Sequence, residues 1–123
     1  MSTFSITIQV GSPDRTRFRE ITALGDTGAT FSWLPRSFLE ELGHTPAMRK
    51  SFEIGDGRVV ERDVGEAPVR IGSEVLTTVC VFADDAEQLA LGAVTLEQFL
   101  LAPDPVHQRL IPVTGLHVWR MPR

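Results

Sequence analysis

The sequence has little of several features that would assign a function class at once. It contains one cysteine, Cys80, so no internal disulfide can form, and the apolar residues around it favour a small core residue. No apolar stretch approaches the ~20 residues that cross a bilayer, and the N-terminus lacks a basic region followed by an apolar core. Twelve basic residues are scattered among sixteen acidic ones, for a formal charge of −4, which argues against a nucleic-acid partner. We therefore expect a cytoplasmic protein with no membrane partner.

Motifs for metals and for common nucleophiles are also missing. His44, His107 and His117 stand far apart, and no spacing of His, Cys and Asp resembles a metal site. Ser32 and Ser37 lack the Gly-x-Ser-x-Gly turn that exposes a nucleophilic serine. We expect neither a metal nor any other cofactor.

The apolar pattern that is present predicts one mostly β domain. A chain of 123 residues with 42% hydrophobic content can bury one core, so we predict a single domain over residues 1–123. Apolar and polar residues alternate over residues 4–10, and a second strand is predicted over residues 18–24. Residues 48–82 have a β pattern broken by glycine-containing turns, which predicts consecutive hairpins. Within them, Asp56-Gly57 is typical of a two-residue type I′ turn.

Short helices and closing strands complete the predicted fold. Residues 35–43 begin with Pro and end with Gly, which allows a short helix at most. The spacing from Thr95 to Gln98 is that of a capping box, in which both side chains satisfy free backbone donors, so a helix is predicted over about Thr95–Leu101. Residues 109–113 and 116–119 predict two closing strands. The expected fold is all-β, a small closed barrel with one short helix in its C-terminal half.

The most specific motif is Ala23-Leu24-Gly25-Asp26-Thr27-Gly28-Ala29-Thr30, which places one carboxylate in a Gly-flanked turn after an apolar strand. A Gly-tipped turn, Gly55-Asp56-Gly57, follows about thirty residues later. A second apolar-apolar-Gly triplet, Ala90-Leu91-Gly92, precedes the predicted helix. In this order the motifs resemble the retropepsin-like aspartic proteases, over roughly residues 4–101.

The resemblance implies a role for each of these residues. Asp26 would be the catalytic acid, the Thr27 hydroxyl would lock its loop to the same loop of a partner chain, and Gly28 would let the backbone turn closely. Residues 55–57 would form the tip of a mobile flap, and residues 90–92 would support the catalytic loop. The substrate-binding positions that it implies are Leu24, Ala29, Thr30, Ile54, Gly55, Asp56 and Gly57, with Phe31 and Trp33 as further candidates for lining the pockets.

Peptide hydrolysis needs two carboxylates of this kind. Water must lose a proton on one side of the peptide bond while the carbonyl oxygen gains one on the other, and one carboxyl group cannot do both. Two facing carboxyl groups share a proton, because the first charge disfavours the second. Since the chain has one Asp-Thr-Gly and length for one lobe, we expect a homodimer that cleaves extended peptide or protein substrates, most actively below neutral pH.

Some positions depart from the retroviral pattern. Gly25 stands before the aspartate where an apolar residue is usual, and Asp56 stands at the flap tip. Thr30 and Ala93 replace the two members of an ion pair that supports the retroviral dimer. Because a fold alone does not establish activity, an alternative function is a retropepsin-fold module that dimerises or binds peptides without cleaving them. A monomeric barrel that binds a small ligand is a third option. The intact Asp26 motif favours the enzyme, because a facing carboxylate pair is costly to keep without chemistry.

Overall fold

The computed structural model describes residues 3–119. These residues form nine strands and two short helices. In chain order they are β1 (Phe4–Gly11), β2 (Phe18–Gly25), β3 (Ser32–Pro35), α1 (Arg36–Glu41), β4 (Met48–Ile54), β5 (Arg58–Ile71), β6 (Glu74–Ala83), β7 (Ala90–Leu91), α2 (Ala93–Gln98), β8 (Leu101–Asp104) and β9 (Arg109–Pro112).

Seven of these strands form one sheet, and β8 and β9 pair separately. The order in the large sheet is β1-β2-β7-β3-β6-β5-β4. Most neighbours are antiparallel, but β2 pairs with β7, and β3 with β6, in parallel. A further pairing joins β1 to β5 at Gln9↔Arg70 and Val10↔Val69. The prediction of a mostly β chain is confirmed, and closure of the barrel stays a prediction that the β1–β5 pairing supports.

One apolar core holds the sheet and both helices together. Cys80 is fully buried within it, as the sequence predicts, and burial raises the pKa of its thiol to about 12, so the group is inert. The buried members of this core are Ile8, Val10, Leu34, Leu39, Leu42, Ala67, Val69, Cys80, Phe82, Leu91, Leu96 and Phe99.

The second helix differs from its prediction at both ends. It begins at Ala93 rather than Thr95 and ends at Gln98, and Leu101 already belongs to β8. Gly92 is the N-cap residue, and no side chain caps the helix. The predicted capping box is wrong because the Thr95 hydroxyl is fully buried and bonded to other elements. The first helix lies within its predicted range.

The end of the chain also differs from its prediction. Strand β9 forms, but it pairs with β8, from Leu101↔Pro112 to Asp104↔Arg109. The predicted strand over residues 116–119 is wrong, since residues 113–119 have no regular secondary structure. The carboxylate of Asp104 accepts the backbone N–H of Val106 at 3.2 Å and so stabilises the β8–β9 turn. This local pairing takes the place of the predicted pair of closing strands.

Residues 48–63, here called the β4–β5 hairpin, project from the sheet. Strand β5 pairs with β6 only from Val64 onward, whereas residues 58–63 pair with β4. The connecting loop has three residues, with the Gly57 N–H donating to the Ile54 carbonyl at 2.8 Å and Gly57 at φ +87°. Neither Gly55 nor Asp56 has the positive φ that a type I′ turn needs, so the loop is closed by a left-handed glycine and is not the predicted type I′ turn. The predicted hairpin is confirmed, and only its turn type was wrong.

Candidate active site

Asp26 leaves the sheet where two apolar triplets meet. Strands β2 and β7 run in parallel, with Leu24 opposite Ala90 and Gly25 opposite Leu91. The Asp26 N–H donates to the Leu91 carbonyl at 3.0 Å, which continues this pairing by one residue. Gly25 is buried in β2, where it pairs with Phe4 of β1 and Leu91 of β7. The two triplets that sequence analysis singled out therefore fix the point at which the Asp26 side chain emerges.

The Asp26 loop, residues 26–30, orients the carboxyl group through its own backbone. One carboxylate oxygen of Asp26 accepts the Gly28 N–H at 2.8 Å, and its carbonyl accepts the Ala29 N–H at 3.1 Å. Asp26 is half-buried, whereas Thr27 and Gly28 are exposed. The loop thus holds one oxygen of the carboxylate and leaves its tip on the surface. The locking role of Thr27 stays a prediction.

The start of α2 supports this loop from behind. The Ala93 N–H donates to the Ala29 carbonyl at 2.7 Å, and the Val94 N–H donates to the Thr30 carbonyl at 3.0 Å. A Cβ on Gly92 would clash with the backbone oxygen of Phe31 and would lie 2.8 Å from that of Ala29. Only glycine lets the helix approach the loop this closely. The supporting role predicted for residues 90–92 agrees with this geometry.

Three buried hydroxyl groups join the elements beneath the loop. Thr95 shares hydrogen bonds with Ser32 at 2.6 Å and with Thr78 at 2.7 Å, and Ser32 accepts the Gly92 N–H at 3.0 Å. These residues belong to α2, β3 and β6, so one network fixes three elements. The sequence alone does not predict this network, because the partners are 17 to 63 positions apart and belong to no common local motif.

The β4–β5 hairpin reaches back to the body of the protein through an aromatic contact. The Phe52 ring meets Trp33 edge-on at 5.3 Å between ring centroids and Phe31 at 6.1 Å. Trp33 lies on β3, directly beyond the Asp26 loop. Edge-to-face pairs of this kind contribute beyond simple burial. They hold the hairpin beside the loop.

A cleft of about 830 Å³ separates the Asp26 loop from the hairpin. Of the residues predicted for the site, those that line the cleft are Asp26, Gly28, Ala29, Thr30, Trp33, Ile54 and Gly55. The lining residues that sequence analysis did not propose for substrate contact are Ser51, Phe52, Glu53, Arg58, Val60, Arg62, Asp84, Ala86, Glu87, Gln88 and Ala90. The aromatic and charged side chains among these carried no signal, since only the fold brings them to Asp26.

Five predicted residues lie outside this lining: Leu24, Thr27, Phe31, Asp56 and Gly57. Leu24 lies within β2 between β1 and β7. The Asp56 carboxylate turns back onto its own hairpin, where it accepts the Arg58 backbone N–H at 3.1 Å and contacts the Arg58 Nε at 2.9 Å. These hydrogen bonds lower the pKa of Asp56. The substrate contacts predicted for Asp56 and its neighbours stay predictions.

The structure adds two observations about other kinds of site. Among residues 3–119, no group of three or more His, Cys, Asp or Glu side chains is arranged to hold a metal ion. No helix in the same range is long and apolar enough to span a membrane.

A family model described as aspartyl protease matches residues 7–101, which is most of the chain. The chain belongs to the aspartyl protease family. A crystal structure of a retropepsin-like aspartic protease from Rickettsia conorii is similar in fold, with a TM-score of 0.55 and 21% sequence identity. The alignment covers 84% of this chain and 88% of that one. A search of curated proteins gives no match. The retropepsin-like resemblance is therefore confirmed at the level of family and fold.

Proposed function

We propose that this aspartyl protease family member is an endopeptidase that acts as a homodimer, with Asp26 of each chain at one shared site. The observation that carries the proposal is the placement of Asp26. Its carboxylate lines a cleft, one of its oxygens is held by the Gly28 N–H, and a hairpin stands on the other side of the cleft. A positioned carboxyl group next to space for an extended chain is what peptide hydrolysis requires.

In the proposed reaction the two Asp26 side chains have different protonation states. The ionised one takes a proton from water, which attacks the peptide carbonyl, and the protonated one gives its proton to the carbonyl oxygen. Because each chain supplies one Asp-Thr-Gly, the second carboxyl group comes from a second copy. The exposed tip of the Asp26 loop supports this arrangement, since Thr27 and Gly28 are accessible to a partner.

The hairpin and the sheet support the remaining parts of the proposal. Gly55 and Gly57 leave the hairpin tip free of neighbouring atoms within 4 Å of an added Cβ, so the tip has room to move over a bound peptide. The β1–β5 pairing supports a closed barrel as the frame of each lobe. Activity below neutral pH and a cytoplasmic location stay predictions.

Cleavage of a peptide library by the wild type and by Asp26→Asn tests the proposal. Asn keeps the shape of the side chain but neither takes nor gives the proton, so we expect cleavage to fall by ~10³-fold or more. Asp85→Asn is the matched control, because Asp85 is exposed and lies outside the cleft lining, and it should cleave like the wild type. The mass in solution is measured at the same protein concentration.

Four outcomes are informative. Equal cleavage by the wild type and Asp26→Asn, or cleavage by a strict monomer, contradicts the proposed mechanism. A dimer that binds peptides but cleaves none of them supports the non-catalytic module instead. A monomer that binds no peptide supports the hypothesis of a monomeric barrel that binds a small ligand.

A further inference from the structure

The cleft also has charged lining residues, where Arg62 of β5 meets the loop before β7. The Arg62 guanidinium donates two hydrogen bonds to the Glu87 carboxylate, from Nε to Oε1 at 3.0 Å and from Nη2 to Oε2 at 2.7 Å. Arg62 Nη2 also lies 3.2 Å from an Asp84 carboxylate oxygen. All three residues line the same cleft as Asp26.

Both sides of this contact are fixed within their own segments. Glu87 Oε1 also accepts the Asp84 N–H at 2.8 Å, and the Glu87 N–H donates to the Asp84 carbonyl at 3.0 Å, so the side chain is tied to its loop. Arg62 Nη1 donates to the Glu61 carbonyl at 2.8 Å. The two side chains are only 19% and 15% exposed, so solvent screens the pair less than a surface ion pair.

The Arg62–Glu87 pair lies in the part of the hairpin that has no hydrogen bonds to β6. Residues 58–63 pair with β4 but not with β6, so side-chain contacts must hold this part of β5 to the rest of the protein. We propose that Arg62 and Glu87 form a clasp, a pair of positioning residues that sets how the β4–β5 hairpin stands over Asp26. The claim that this affects peptide cleavage rests on the proposed function.

The protonation behaviour of the pair agrees with this geometry. Burial raises the pKa of Glu87, but the hydrogen bonds from Arg62 and from the Asp84 N–H outweigh it and hold the pKa below the ordinary value. The Glu87 carboxylate in turn raises the pKa of Arg62. Both groups are therefore charged across the neutral and mildly acidic range, and the clasp is intact where the proposed enzyme would work.

Amide hydrogen exchange, measured residue by residue, tests the clasp without any need for catalysis. In Arg62→Gln, and separately in Glu87→Gln, we expect exchange of the hairpin amides to be about tenfold faster, because a charge-assisted hydrogen bond is lost. Amides of β1 and β6 should be unchanged. Lys50→Gln is the matched control: Lys50 lies opposite Arg62 on β4 and is exposed, so this variant loses the same charge but should exchange like the wild type.

A kinetic measurement then connects the clasp to the cleft. For a cleaved peptide, KM should rise in Arg62→Gln by a larger factor than kcat falls, because a loosened hairpin binds substrate less well. Arg62→Lys should recover part of the loss, since it keeps the charge but not the forked contact.

The clasp is contradicted if the hairpin amides of Arg62→Gln exchange no faster than those of Lys50→Gln, or if exchange rises equally throughout the protein. A failure of the proposed function gives a different result. In that case the wild type itself cleaves no peptide, while the exchange rates still decide whether Arg62 and Glu87 hold the hairpin.

Discussion

The Asp26 loop and the β4–β5 hairpin face each other across one cleft but are held by opposite kinds of contact. The loop is fixed by backbone hydrogen bonds from α2 and by buried hydroxyl groups, including Thr95. The hairpin is held by side chains that contact the rest of the protein. The Phe52 ring packs against Trp33, and Arg62 and Asp63 form ion pairs with Glu87 and Arg36.

This difference matches what each region has to do in the proposed reaction. Proton transfer requires a carboxyl group held to within a fraction of an ångström, which buried and directional contacts provide. A hairpin that closes over an extended substrate must also open, and contacts made by a few partly exposed side chains can break one at a time. The comparison therefore predicts that small changes in the loop lower the stability of the whole protein, whereas small changes in the hairpin affect only the hairpin.

The largest expected effect is that of Gly92→Ala. The added methyl group would meet the backbone oxygens of Phe31 and Ala29, which cannot move without displacing the Asp26 loop. We expect the free energy of unfolding to fall by about 3 kcal/mol, as in strongly overpacked sites, and any peptide cleavage to be lost with it. Denaturant unfolding at equilibrium measures the change.

The matched change in the hairpin is Gly55→Ala. No atom lies within 4 Å of a Cβ added at Gly55, and its backbone is outside the left-handed region. The free energy of unfolding should change by less than about 0.5 kcal/mol, as at ordinary surface positions. If both alanine variants lost the same stability, the contrast between a fixed loop and a loosely held hairpin would be wrong.

A smaller effect is expected for Thr95→Val, which keeps the shape of the side chain but removes the central hydroxyl of the buried network. Ser32 and Thr78 each lose a partner at a fully buried position. We expect a loss of about 2 kcal/mol in the free energy of unfolding, the usual cost of leaving buried polar groups unsatisfied.

Thr22→Val is the control for that measurement. Thr22 shares a 3.0 Å hydrogen bond with Thr7, but this pair is exposed, so water replaces the lost contact. Its cost should stay within about 0.5 kcal/mol. Equal losses of unfolding free energy in the two variants would mean that the buried network under the Asp26 loop stabilises the protein no more than an exposed hydrogen bond does.

The same contrast explains how much the sequence could predict. The Asp26 motif, the hairpin and the triplet at residues 90–92 were predictable, because each is a short local pattern with its own turn or strand chemistry. Thr95 was assigned to a capping box because local spacing favoured that, yet its hydroxyl bonds Ser32, 63 positions away. Tertiary hydrogen bonds compete with local ones for the same hydroxyl group, and only the fold shows which of them forms.

The cleft shows the same limit. Arg62 and Glu87 are 25 positions apart and belong to no motif, so nothing marked them before the fold brought them together. Asp56 does stand within a motif, but the motif did not predict that its carboxylate contacts Arg58. Local patterns therefore located the Asp26 loop and the β4–β5 hairpin, while the contacts between these two regions came from the fold alone.

The smallest expected effect is that of low pH, which should loosen the β4–β5 hairpin before the Asp26 loop. Hydrogen bonds from Arg36 lower the pKa of Asp63, and those from Arg62 lower the pKa of Glu87 against the opposing effect of burial. A carboxyl group whose pKa is lowered by folding stabilises the protein at a pH above its pKa in the unfolded state. This stabilisation is lost as the pH falls through its pKa in the folded state. Below the ordinary values of 3.8 for Asp63 and 4.5 for Glu87, the hairpin should loosen first.

Trp33 reports this loosening because its ring contacts Phe52 of the hairpin. The chain has two tryptophans, so Trp119→Phe leaves Trp33 as the single reporter. As the pH is lowered, we expect the Trp33 emission to move to longer wavelength before the far-ultraviolet circular dichroism of the sheet changes. In the same background, Asp63→Asn should change this early step, whereas Asp104→Asn, in the β8–β9 pair, should not. Emission and circular dichroism that change together at one pH would show that loop and hairpin unfold as one unit. The buried contacts around Asp26 would then be no more resistant to acid than the ion pairs that hold the β4–β5 hairpin.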